Sequence, residues 1–108
     1  MQKEVEEKIM RLQLMEKNLQ TLLIQKQNFQ NHLFEIENAL KELEGKREHV
    51  YKIVGSIMVE STQDDIKNGL TSKKEIVDLR IKSIEKQEAR LKDQLTEVQT
   101  EVMKNLKE

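Results

Sequence analysis

The sequence predicts a mostly α-helical chain: a long antiparallel two-helix coiled coil joined by one short β-hairpin. Three observations carry this expectation. Two segments repeat apolar residues in steps of three and four. A β-rich stretch with a central glycine separates them. The composition also suits long helices better than a compact core. Of 108 residues, 36% are charged and only three, Phe29, Phe34 and Tyr51, are aromatic. There is no proline and there are three glycines. Aromatic side chains supply much of the buried area in compact cores, and a charged chain lacking helix breakers reads as extended helix. Disorder is the competing class, and the periodicity of the apolar residues argues against it.

The first helix is expected over about residues 3–44. Its seam runs Leu12, Met15, Leu19, Leu22, Lys26, Phe29, Leu33, Ile36, Leu40 and Leu43, nine of ten apolar, with Val5 upstream. A stripe repeating every 3.5 residues stays buried only if its helix supercoils about a partner. Ile9, Met10, Leu14, Leu23, Ile24 and Phe34 are expected to widen the stripe. Gly45 stands where a helix C-cap belongs.

The second helix is expected over about 63–107, with a seam of Leu70, Val77, Ile81, Ile84, Leu91, Leu95, Val98 and Val102. Lys74 and Glu88 interrupt this seam, and Leu106 continues its apolar face. Two matched seams joined by about twenty residues predict antiparallel packing. Folding back near Gly55 brings Lys26 and Glu88 to similar heights. They either pair across the seam and favour one register, or snorkel separately to solvent. Two starts are open, at Ser61 or Thr62 before Asp64 and Asp65, or at Ser72 before Glu75. The expected start is near Asp64, with a weak or bent turn at Gly69, since glycine costs about 1 kcal/mol in a helix interior.

Between the helices, Val50–Val54 and Ile57–Glu60 flank Gly55-Ser56. This pattern predicts a hairpin over about 50–60 with a type II′ turn, because glycine supplies the positive φ of the first turn position. A helix running straight through is the alternative, and the β-branched residues and Gly55 oppose it. Val54, Ile57 and Val59 would share one face with Lys52, and Tyr51, Ile53 and Met58 the other with Glu60. Both faces are largely apolar, and a lone two-stranded hairpin is marginal in water. Tyr51, Ile53, Val54, Gly55, Ile57, Met58 and Val59 are therefore candidate assembly residues, requiring strands from other chains.

Helices of about forty residues would extend roughly 60 Å from the hairpin, with both termini at the far end. Val5, Ile9, Met10, Leu12, Leu14 and Met15 would lie there opposite Val98, Val102, Met103 and Leu106. Met1, Met10, Met15 and Met103 fall in this region, and methionine suits surfaces that adapt to many shapes. Partly splayed helix ends would leave apolar residues open to unfolded chains. Ordinary seam packing is the plainer reading of the same residues.

Several functions are disfavoured. The net charge is -1, from 19 basic and 20 acidic residues, so no basic excess attracts nucleic acid. There is no cysteine for a disulfide or thiolate zinc site, and no apolar run approaches the ~18–20 residues of a membrane span. The segment MQKEVEEKIM has no apolar signal-peptide core, so a cytoplasmic location is expected. No phosphate-cradling glycine loop appears. His32 and His49 stand in no metal or triad spacing. Neither enzymatic activity nor a cofactor or metal is expected.

The run Val50-Tyr51-Lys52-Ile53-Val54-Gly55-Ser56-Ile57-Met58-Val59, preceded by a heptad helix, resembles the hairpin of β-type prefoldin subunits. Leu79-Arg80-Ile81-Lys82-Ser83-Ile84-Glu85-Lys86-Gln87-Glu88 is similar to the second helix of the archaeal β subunit. The resemblance covers nearly the whole chain and implies one prefoldin β-like domain over 1–108. It also implies a heterohexamer of two α-type and four β-type subunits, whose hairpins join an intersubunit β-barrel carrying six coiled-coil tentacles. Tentacle tips would hold unfolded client proteins without ATP and deliver them to a group II chaperonin. By position, the tip residues would be Val5, Ile9, Met10, Leu12, Met15, Val98, Val102, Met103 and Leu106. Asn68-Gly69 departs from the family's continuous helix. The alternatives are a structural coiled-coil tether or spacer, which has no need of an apolar hairpin, and a tubulin-cofactor-like helical bundle, which would lack strands.

Overall fold

The computed structural model describes residues 2–107; Met1 lies outside them. The elements run α1 (Gln2–Glu42), β1 (Val50–Val54), β2 (Ile57–Ser61) and α2 (Gln63–Lys107). They fall into two compact units. A hairpin unit comprises Phe29–Arg80, and a terminal unit joins the N-terminal segment through Asn28 to the segment from Ile81 onward.

In the hairpin unit, α1 ends by tightening. The Leu43 N–H donates to the carbonyls of Ala39 and Leu40, and that of Glu44 to the carbonyl of Lys41. Gly45 follows at φ +87°, a left-handed conformation that glycine adopts without a Cβ penalty. Helix α2 starts at Gln63, capped by Thr62, whose Oγ1 accepts the Asp65 N–H at 3.1 Å. Ser72 lies inside the helix and starts nothing. The helix continues through Asn68-Gly69 without interruption. The Gln63 side-chain amide donates to the carbonyls of Leu43 and Gly45, and its oxygen accepts the Arg47 N–H. One side chain thereby ties the start of α2 to the end of α1.

Strands β1 and β2 pair antiparallel as Val50↔Ser61, Tyr51↔Glu60, Lys52↔Val59, Ile53↔Met58 and Val54↔Ile57. This register produces the two expected faces, because side chains alternate along each strand. Gly55 has φ +62°, and Ser56 has no positive φ. These signs are those of a type II′ turn, whose twist matches that of the flanking strands. Within this unit Ile36 is buried in the helix seam. The seam charge Lys74 reaches Glu37 at 3.7 Å, and the Arg80 guanidinium lies over the Phe29 ring.

In the terminal unit the core is the seam itself: Met15, Ile81, Ile84 and Val98 are buried, with Leu12, Leu19, Leu22, Leu91, Leu95 and Val102 half-buried around them. Antiparallel packing is visible in the cross-pairs Lys8–Glu101 and Lys26–Glu88. Two expectations need correction. Ile9, Met10, Leu14, Leu23, Ile24 and Phe34 do not widen the buried stripe; all are exposed, since one facing helix covers only the two heptad positions nearest it. Leu106 is exposed as well, because three residues past Val102 the seam falls on Asn105, which is half-buried.

A seam this narrow predicts sharply position-dependent mutants. Ile84→Ala should destabilise the chain by about 2 kcal/mol or more, whereas Met103→Ala, on an exposed position of the same helix, should stay within about 0.5 kcal/mol. Urea unfolding followed by circular dichroism separates the two.

Candidate interaction surfaces

On the hairpin, Tyr51, Ile53, Val54, Ile57, Met58 and Val59 are all exposed, Ile53 at 74%. Alternation puts Tyr51, Ile53 and Met58 on one face and Val54, Ile57 and Val59 on the other, so no rotation of the hairpin within its own unit could hide both. Its sheet has two strands, leaving each outer edge with unpaired backbone donors and acceptors. Gly55 is the residue that allows the turn. Exposed apolar side chains on both faces and two free edges suit strand addition by other chains.

The candidate residues of the terminal unit divide into two sets. Val5, Leu12, Met15, Val98 and Val102 occupy the seam and are buried or half-buried, so the helices close on one another there rather than splaying. Ile9, Met10, Met103 and Leu106 are exposed, Met10 at 69% and Leu106 at 65%, and the off-seam Leu14 joins them. These residues offer apolar contact without requiring the seam to open.

The terminal unit also holds a charged cluster in its seam. Glu88 is the buried polar residue of the core. Lys26 Nζ donates to its Oε2 at 3.1 Å, and Lys92 Nζ lies 3.1 Å from Oε1. Each carboxylate oxygen therefore has its own ammonium, which satisfies a charge that burial alone would penalise. The hydrogen bond from Lys26, then that from Lys92, holds the Glu88 carboxyl below the usual carboxylate range, against the opposing effect of burial. Of the two sequence readings, cross-seam pairing is what the structure contains. The third partner, Lys92, escaped the heptad reading because it lies off the seam, one turn beyond Glu88.

His49 Nδ1 lies 3.2 Å from Glu60 Oε1, across the base of the hairpin, and His32 lies 4.0 Å from Glu35. Among the described residues no group of His, Cys, Asp or Glu is arranged to hold a metal ion, and no helix is long and apolar enough to cross a membrane.

Fold and surfaces together define a class: a two-helix coiled-coil chain with exposed apolar side chains on its β-hairpin and on its helices. The family model described as prefoldin subunit matches residues 6–108. A prefoldin subunit beta of Caldivirga maquilingensis is 35% identical over 94 residues, covering 85% of this chain and 78% of the relative. One from Archaeoglobus fulgidus is 34% identical over 98 residues, covering 89% and 84%. The crystal structure of the prefoldin beta subunit from Thermococcus strain KS-1 superposes with a TM-score of 0.90 at 31% identity, covering 97% of this chain and 94% of that one. The beta2 subunit of the same strain shares the fold, with a TM-score of 0.75 at 18% identity over 82% and 97% of the two chains. The chain belongs to the prefoldin subunit family, a family of non-enzymatic chaperone subunits.

The Glu88 cluster predicts a specific acid response. A carboxyl whose pKa is lowered by folding contributes stability that is present above its ordinary value, 4.5, and is lost as pH falls through the lower folded value. Glu88→Gln removes that contribution. Wild type should therefore melt above Glu88→Gln at pH 7, and the gap should shrink at pH 3, as read by thermal melts at both pH values.

Proposed function

We propose that this chain is an ATP-independent holdase subunit. It assembles through its β-hairpin with α-type and further β-type prefoldin subunits, and it binds unfolded polypeptides through exposed apolar residues of its terminal unit. The observation that carries the client-binding part is the exposed set Ile9, Met10, Leu14, Met103 and Leu106 beside a closed seam. Covering such side chains by an unfolded chain is worth ~25 cal/mol per Å² of apolar surface, without a shaped pocket or sequence readout. The flexible, polarizable side chains of Met10 and Met103 adapt to varied clients. One such surface binds weakly. Several, carried by the subunits of one assembly, raise each other's effective concentration and hold the client by avidity.

The assembly reading rests on the hairpin. Its exposed apolar faces and free edges are accounted for if strands of neighbouring subunits complete an intersubunit β-barrel. The relatives' β-subunit names support a β-type place in a hetero-oligomer; two α-type and four β-type chains is the proposed composition. A group II chaperonin is the proposed recipient of the client, and the cytoplasm the proposed location.

The test is co-expression with an α-type subunit, followed by sizing and an aggregation assay on a chemically denatured client without nucleotide. A hexamer-sized complex that suppresses aggregation is expected; a monomer or simple dimer that leaves aggregation unchanged would point to a structural spacer. Two variants separate the surfaces. The double change Ile53→Asp and Ile57→Asp should abolish assembly while preserving helical circular dichroism. Met10→Ser with Met103→Ser and Leu106→Ser should leave assembly intact and weaken client holding several-fold.

A further inference from the structure

The outer side of α1 changes character partway along the terminal unit. Residues 18–28 contain one charged side chain, Lys26, in a chain that is 36% charged. Lys26 is itself consumed in the seam by Glu88. What the segment shows to water is amide, hydroxyl and hydrocarbon, with Gln20, Leu23, Ile24 and Gln27 all exposed. The facing helix differs. Since Lys26 meets Glu88 and the helices run antiparallel, residues 20–28 stand beside about 86–94 of α2. There Lys86, Arg90, Lys92 and Asp93 are exposed. At this height the terminal unit therefore pairs one charged helix with one uncharged helix.

Gln20, Leu23, Ile24 and Gln27 follow at spacings of three and four, which places them on one side of α1, off the seam of Leu19, Leu22 and Lys26. Leu23 is 43% exposed and Ile24 64%. Three features select what this side can hold. The apolar pair does not repeat: the next off-seam apolar residues of α1 are Leu14 and Phe34. A helix from another subunit or a second copy needs apolar contacts about every 3.5 residues, so this side does not suit one. The amides of Gln20 and Gln27 can both donate and accept hydrogen bonds, as the backbone of an unfolded chain requires. The lack of charge leaves no like-charge repulsion against either an acidic or a basic segment.

We propose that Gln20, Leu23, Ile24 and Gln27 form a charge-neutral holding surface for extended, unfolded polypeptide, binding its apolar side chains and backbone amides whatever its own charge. The proposal rests on the holdase reading and adds a second contact along α1, with a specificity of its own. Ile9 and Met10 stand among Glu6, Glu7, Lys8 and Arg11, so insensitivity to client charge belongs to the neutral stretch and not to the residues nearer the terminus.

The experiment takes the complex with an α-type partner and two chemically denatured clients, one acidic and one basic. Aggregation is followed at low ionic strength, where charge repulsion is least screened. Wild type should hold both clients. Gln20→Glu with Gln27→Glu should weaken holding of the acidic client several-fold and spare the basic one, and Gln20→Lys with Gln27→Lys should do the reverse. Leu23→Ser with Ile24→Ser should weaken both. Glutamate and lysine are as favourable in a helix as glutamine, so the charge pairs leave the chain folded, and the sign of the effect separates repulsion from damage. Charge pairs that leave both clients unaffected, or weaken both equally, would overturn the proposal while the holdase reading stands. Charge pairs that abolish assembly would assign this side to a neighbouring subunit and overturn it as well. A wild-type complex that holds neither client would sink the holdase reading, and the proposal with it.

Discussion

Each helix of a two-helix seam can bury only the side facing its partner, and everything else in this protein follows from how little that covers. Among the described residues, five apolar side chains are buried while sixteen large ones are exposed. A globular chain would fold a third layer over such residues. Among the described residues no further element does so, and the exposed apolar surface is divided between the hairpin and the helices. Such surface favours association with other chains.

The seam is not uniformly apolar, and its exceptions are informative. Glu88 sits in the terminal-unit core with Lys26 from the facing helix and Lys92 from its own. Apolar residues would fit these seam positions without desolvating a charge. What the charges add is specificity, since a buried carboxylate tolerates only the register that supplies its ammonium partner. In the hairpin unit, Lys74 and Glu37 pair across the other interruption of the second seam. An unbroken run of leucine and isoleucine would pack almost as well one heptad out of step; the buried Glu88 carboxylate would then lose Lys26.

The hairpin obeys a different rule. Its register is set by a two-residue turn through Gly55 and by alternation along five-residue strands, all local features. Its stability is not local, because a two-stranded sheet with both faces open retains neither edge protection nor a core. Gln63 anchors the connection from α1 and Thr62 caps α2, so the hairpin's base is held even though its apolar faces are not covered.

The helices, the hairpin and its turn were legible in the residues, because heptad spacing, strand alternation and a glycine at a positive-φ position are short-range signals. Lys26 opposite Glu88 was legible as one of two outcomes, since counting from the turn places them at similar heights. Less legible was the boundary of burial: Leu106 reads as seam while Asn105 occupies it, and Ile9, Met10, Leu14, Leu23, Ile24 and Phe34 read as a broader stripe while all are exposed. Hydrophobicity says which residues gain from burial, but only the facing helix decides which are reached. The sequence alone thus determined the elements, their order and their antiparallel pairing. The tertiary structure decided which apolar residues remain in water, that Lys92 completes the Glu88 cluster, and that Gly69 lines a groove beside the hairpin. The first and last of these depend on distances between segments far apart in the chain, which no local periodicity encodes, whereas Lys92 stands four residues from Glu88 on the same helix.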